Sequence, residues 1–186
     1  MEEASVSEGI YAHMIKQDAI HPTYCQLELY GSIVVVSKGQ LGKGRIITMH
    51  RETSSEAAVD HLSDLRQSLV KENYVSPEPL SKKAEEQFFA DLLNVSKYPE
   101  FHDGLEVAES LLLRVSNENK KKLLKILFDK TDCVMMGLGT EDGPDYDGED
   151  DYYPEMLEDE TQLKPKDARE VYGAKLAHYQ KLIKML

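Results

Sequence analysis

A run of four β-branched residues, Ile33-Val34-Val35-Val36, limits the fold more than any other stretch of the chain. Tyr30-Gly31-Ser32 precedes it at hairpin length, and Ser37 to Gly44 (SKGQLGKG) follows it with three glycines. Side chains branched at Cβ fit a pleated surface better than a helix, so the run is best explained as a central strand. Upstream, Tyr24 to Leu29 alternates: Cys25, Leu27 and Leu29 fall on one face, Tyr24, Gln26 and Glu28 on the other. That period of two predicts a half-buried antiparallel strand. Downstream, Arg45 to His50 (RIITMH) resumes a strand, and Ile10 to Ile15 (IYAHMI) supplies a fourth.

A helix follows the last strand. Ser54 or Ser55 can cap its first free amides, Glu56 favours its positive end, and Ala57, Ala58, His61, Leu62, Leu65 and Leu69 recur at helical spacing. Asn73-Tyr74 ends it, and Ser76-Pro77-Glu78-Pro79 reads as a linker. Beyond it come helical patterns over Lys82–Asn94, with Phe88, Phe89, Leu92 and Leu93 facing inward, over Gly104–Val115, from Asn119 through Asp129, and over Pro165–Met185 with proline in its first turn. In the last helix Val171, Leu176, Tyr179, Leu182 and Ile183 are placed near the inner face. The expected class is α+β: a small antiparallel sheet with a covering helix over 10–76, then a helical region over 80–186 carrying an acidic loop over 139–163.

That loop dominates the charge. The formal net charge is -12, yet Glu141 to Glu160 holds eleven acids and no Lys or Arg. Removing the window leaves 34 − 11 = 23 acids against 22 bases, so the acidity describes one loop and not every surface. The segment Asp145-Tyr146-Asp147-Gly148-Glu149-Asp150-Asp151 invites a calcium reading. Setting Gly148 at the loop glycine puts Gly143 first and Pro154 twelfth, where an EF-hand needs Asp and Glu. Three readings stay open: a solvated loop, a weak divalent site, and a contact surface for a basic partner anchored by Tyr146, Tyr152 and Tyr153. No apolar run is long enough to span a membrane, and the acidic start MEEASVSEG has no apolar leader core. Cys25 and Cys133 have no zinc or redox spacing, so two buried, reduced thiols in a cytoplasmic or nuclear protein are expected.

With the strands placed, residues 11–74 resemble the WGR domain of poly(ADP-ribose) polymerases and of bacterial molybdate-regulator-type proteins. The resemblance rests on Tyr24-Cys25-Gln26-Leu27-Glu28-Leu29, Gly31, Val34-Val35-Val36, Lys38-Gly39-Gln40-Leu41-Gly42, Ser55-Glu56-Ala57-Ala58 and Asn73-Tyr74. Lys38 stands where the family has tryptophan and Gln40 where it has arginine. The resemblance implies an α+β binding domain, and in the polymerases the hairpin contacts a DNA end. Carried over by position, the nucleic-acid contacts would be Lys38, Gly39, Gln40, Gly42, Lys43 and Arg45. Lysine can meet a phosphate as a point charge, but neither replacement reproduces the stacking indole or the guanidinium fork. No polymerase catalytic signature follows the linker.

From the residues alone, the hairpin could cradle a phosphate on exposed amides, or it could be a solvated turn whose glycines satisfy positive φ. It is not a P-loop, because Gly42-Lys43 is followed by Gly44 and not by Ser or Thr. No histidine pair has metal spacing, His61 is expected to pack against the core, and no nucleophile motif is present. The expectation is a non-enzymatic binding or regulatory protein with no cofactor, no metal and no membrane partner. Its partner is nucleic acid through the hairpin or another protein, the latter including an inhibitor-type role for the acidic loop.

Overall fold

The structure is a computed structural model, and it describes residues 7–16, 22–98, 104–138 and 163–186. The acidic window Glu141–Glu160 lies outside the described residues. The chain divides into two compact units, Met1–Pro77 and Glu78–Leu186. The fold is α+β, with the strands in the first unit.

The first unit is a four-stranded antiparallel sheet in the order β1-β2-β3-β4, built from β1 (Gly9–Lys16), β2 (Thr23–Tyr30), β3 (Ile33–Gly39) and β4 (Arg45–Arg51). Gly31 at φ +60 opens the two-residue turn that closes Tyr30 onto Ile33, the glycine-first geometry that matches strand twist. Tyr11 is an extra residue in β1, because Ile10 pairs with Glu28 and Ala12 with Leu27. Helix α1 (Ser55–Lys71) starts on Ser54, whose Oγ accepts from the Ala57 amide at 3.1 Å. It ends where Asn73 takes φ 68 and the Tyr74 amide returns to the Leu69 carbonyl at 2.9 Å. Ala58, Leu62 and Leu69 of α1 bury against Ala12, Met14, Cys25, Leu27, Leu29, Val34 and Val36.

One expectation changes here. β2 is not half-buried: Tyr24 to Tyr30 are all buried. Its second face carries polar groups that find one another. His13 Nδ1 and Gln26 Oε1 lie 3.0 Å apart, His13 stacks on Tyr24, and Tyr30 Oη donates to Glu28 Oε1 at 2.8 Å. Polar side chains bury when hydrogen bonds replace water, so alternation marked two faces of different chemistry and not one wet face.

The second unit contains α2 (Lys82–Leu92), α3 (Leu105–Leu111), α4 (Asn117–Leu138) and α5 (Pro165–Met185). Ser81 Oγ caps α2 by accepting from the Ala84 amide at 3.2 Å. Phe89 and Leu92 are buried, whereas Leu93, expected on the inner face, is 65% exposed at the C-cap of α2. The helix expected over 104–115 closes at Leu111, and its last residues form turns. α4 packs along α5, burying Leu123, Leu124, Leu127 and Val134 on one side and Ala168, Val171, Tyr172 and Tyr179 on the other. Within this interior Lys175 Nζ meets Glu109 Oε1 at 2.7 Å, both side chains fully buried.

Candidate functional site

A helix is about 10 Å across and strands lie about 4.8 Å apart, so one helix cannot cover four strands. α1 packs mainly on β1, β2 and β3 and reaches β4 where His61 meets His50, and much of the β4 face on its side stays open. Alternation and register put Ile46, Thr48 and His50 on that face, opposite Lys38, Val36 and Val34. Ile46 is 46% exposed, and Thr48 and His50 are exposed as well. The result is a groove of about 320 Å³. Its floor includes Cys25, Leu27 and Val36, and Leu65, Ser68 and Leu69 of α1, with Glu72 just past its end, form one wall at helical spacing.

The two ends of the groove differ. At the hairpin end Lys38 faces Ile46 across the ladder, and Glu72 stands on the helix side with Ser68 Oγ 3.4 Å from its carboxylate. At the far end His50 sits edge-on to His61 at 5.1 Å between ring centroids, and His61 Nδ1 lies 2.7 Å from Glu52 Oε1. His61 is half-buried and partnered. Cys25 is fully buried at the floor. Burial pushes its thiol up to about 11; Lys38 pulls it down and Glu72 adds to the rise. A raised thiol pKa removes thiolate at neutral pH, the opposite of what nucleophilic chemistry needs. Among the described residues, no three metal-capable side chains come together. Likewise, no helix there is long and apolar enough to cross a membrane.

The hairpin residues named from the sequence do not converge. Lys38 lies on the α1 face, while Gly39 and Arg45, paired one step further along, lie on the opposite face. Lys43 is exposed at the tip, where its amide donates to the Gln40 carbonyl at 3.0 Å. Gly42 at φ +78 and Gly44 at φ +89 shape the return. Gly39 serves packing: a Cβ there would sit 2.4 Å from the Gly44 carbonyl oxygen. The six residues therefore form a tight hairpin with its cations split over two faces and a tip.

Sequence reasoning passed over Thr48, His50, Leu65, Ser68 and Glu72. The signal was available as geometry: one amphipathic helix beside four strands leaves the last strand largely uncovered, and β4 alternates apolar residues onto both faces.

No family model matches the chain, and no curated protein matches it. A crystal structure of a protein from Bacteroides fragilis overlaps 60% of this chain and 38% of its own, at 18% sequence identity and a TM-score of 0.33. This chain thus spans well under half of that protein, and an overlap this loose carries no argument about fold or function.

Proposed function

We propose that the protein is a non-enzymatic binding module, with a WGR-like sheet domain, that recognises a segment of another protein at the open flank of its sheet. The observation that carries this is the groove beside α1: an apolar floor, a largely uncovered strand and, at one end, Lys38 facing Glu72. Contiguous apolar surface beside polar groups is what a partner's side chains can fill. The raised Cys25 thiol and the partnered His61 support binding over covalent chemistry.

The phosphate-binding reading rests on the hairpin, and the distribution of its cations weakens it. A single phosphate rewards donors that converge, whereas Lys38 and Arg45 point to opposite faces.

The test is selection from a displayed library of unstructured peptides against the wild-type protein. Ser68→Trp should fill the groove and abolish enrichment, because Ser68 is exposed on the groove wall. Gln67→Trp lines the opposite flank of α1 and should leave enrichment unchanged. Equal enrichment for both variants would refute the groove as the site. A parallel salt series with 5′-phosphorylated nicked duplex should show no specific binding. Binding at low salt that weakens in Lys38→Ala would favour nucleic acid instead.

A further inference from the structure

The bulge in β1 re-aims one aromatic ring. Ala12 and Met14 belong to the apolar layer under α1, and strict alternation would send Tyr11 to the other face of the sheet. As the extra residue between the pairs Ile10–Glu28 and Ala12–Leu27, Tyr11 turns to the α1 side instead and packs half-buried against that layer. It stands beside the flank of α1 that faces away from the groove. Ser63, Arg66, Gln67, Val70 and Lys71 recur there at i, i+3, i+4, i+7 and i+8, one stripe of the helix. Ring and stripe line a pocket of about 300 Å³. Every polar side chain in it can donate a hydrogen bond, and none is a carboxylate. The acids of α1, Glu56, Asp60 and Asp64, fall outside the lining. In the groove Lys38 faces Glu72, but here, among the described residues, the side chains of Arg66 and Lys71 make no hydrogen bond or ion pair. Val70, 55% exposed, leaves apolar surface open in the same pocket.

We propose that this pocket binds a small phosphate monoester carried on a flat ring, of the nucleoside monophosphate class. Arg66 presents a planar fork of donors and Lys71 a point charge, and both suit phosphate oxygens. A monoester has three terminal oxygens, so it engages more of these donors than a two-oxygen carboxylate does. Ser63 and Gln67 add neutral donors on the same stripe. Tyr11 and Val70 supply apolar surface for the ring. Tyr11 already rests on the core, so little further ordering is needed when a ring stacks on it. The negative end of α1 opposes an anion with about half a charge, and two full cations outweigh it. A volume of about 300 Å³ lies at the small end of ligand pockets, which suits one nucleotide. In a duplex the terminal base is stacked on its neighbour and withheld from Tyr11, so this pocket adds no affinity for a nicked end. The site lies on the opposite flank of α1 from the groove and stands independently of it.

The test is a titration of the full chain with adenosine 5′-monophosphate, followed by amide chemical shifts. Shifts should move along Ser63–Lys71 and at Tyr11, with a dissociation constant of about 0.1–1 mM. Adenosine and inorganic phosphate should each bind at least about tenfold more weakly, because each lacks one half of what the pocket meets. Arg66→Gln changes an exposed side chain and should weaken the monophosphate about tenfold. Tyr11→Leu keeps an apolar group against the core and should bring adenosine 5′-monophosphate down to the affinity of ribose 5-phosphate. Gln67→Trp should fill the pocket and abolish binding, whereas Ser68→Trp, on the groove side, should leave it unchanged. Wild-type affinity in Arg66→Gln would overturn the site. Equal affinity for adenosine, for ribose 5-phosphate or for inorganic phosphate would overturn the ligand class. Absence of any localised shift at about 10 mM monophosphate would overturn both.

Discussion

The interiors of the two units solve burial differently. Under α1 the sheet presents an apolar layer: Cys25, Leu27, Leu29, Val34 and Val36 meet Ala58, Leu62 and Leu69, with no charge among them. In the helical unit the interior includes an ion pair, Lys175 with Glu109, and the Lys175 ammonium also lies 5.5 Å from the Tyr172 ring centroid. Burying two charges costs several kcal/mol each and is offset only by good geometry and further polar contacts. The layer under α1 should lose stability by degrees as methylenes are removed, while the other face of the same sheet buries Glu28 against Tyr30. The helical interior depends on both members of one pair.

Breaking that pair gives the largest expected effect. Lys175→Met should destabilise the helical unit by about 3–5 kcal/mol, because it strands a buried carboxylate. Adding Glu109→Leu to the same protein should recover most of the loss. Urea unfolding followed by helical circular dichroism measures both. A single-variant loss below about 1 kcal/mol would mean the pair is hydrated in solution and the contrast between interiors is false.

This pair also marks the limit of what the sequence discloses. The four strands, the covering helix and the final helix follow from local signals: Ile33–Val36 bounded by turns, Ser54 at a cap, Pro165 in a first turn. Their faces are harder. Lys175 and Glu109 are 66 positions apart, and a lysine on an amphipathic helix gives no sign that a distant acid will meet it. Leu93 misled for a related reason, since spacing along one helix sets it near Phe89 but does not say how far other elements reach to cover it. The groove was hidden because it is made by incomplete coverage, a tertiary property of one helix set on four strands.

The second expected effect depends on pH and separates the units by sign. The Cys25 thiol is raised in the folded state, so the native protein holds that proton more tightly than the unfolded chain. Its contribution is whole below the ordinary value of 9.0 and is lost as pH rises toward about 11. By linkage the loss approaches about 3 kcal/mol, read as the difference between wild type and Cys25→Ala from pH 8.5 to 11. In the helical unit Glu85 runs the other way. Hydrogen bonds from Asn119 and from the amide and hydroxyl of Ser116 hold its carboxyl below the usual range. Its contribution is present above the ordinary carboxylate value of 4.5 and lost as pH falls through the lowered one. Glu85→Gln should flatten the acid limb of helical unfolding and leave the alkaline limb alone. Matching acid limbs for wild type and Glu85→Gln would show that these bonds do not survive in water.

A smaller effect tests the sheet alone. Gly39→Ala forces a Cβ against the Gly44 carbonyl oxygen, which as backbone cannot swing aside. The strain should cost about 1–3 kcal/mol and shift amide resonances through the hairpin. Gly42→Ala meets nothing within 4 Å and is penalised only by its φ of +78, so its cost should be lower. Reversal of that order would place the hairpin's constraint in its turn and not in the close approach of its strands.

The smallest pair of effects asks whether the units differ anywhere besides their interiors. Each begins its first helix on a serine: Ser54 caps α1 and Ser81 caps α2, at 3.1 and 3.2 Å from the amides they satisfy. Ser54→Ala and Ser81→Ala should therefore each cost about 1 kcal/mol, measured by urea unfolding with hydrogen exchange assigning the loss to its own unit. Equal costs locate the contrast in side-chain burial, since the local chemistry of helix initiation would then be interchangeable. A cost confined to Ser54 would instead mean that α2 is held by the contacts of Glu85 with Ser116 and Asn119, so that even helix starts in the second unit depend on long-range polar pairs.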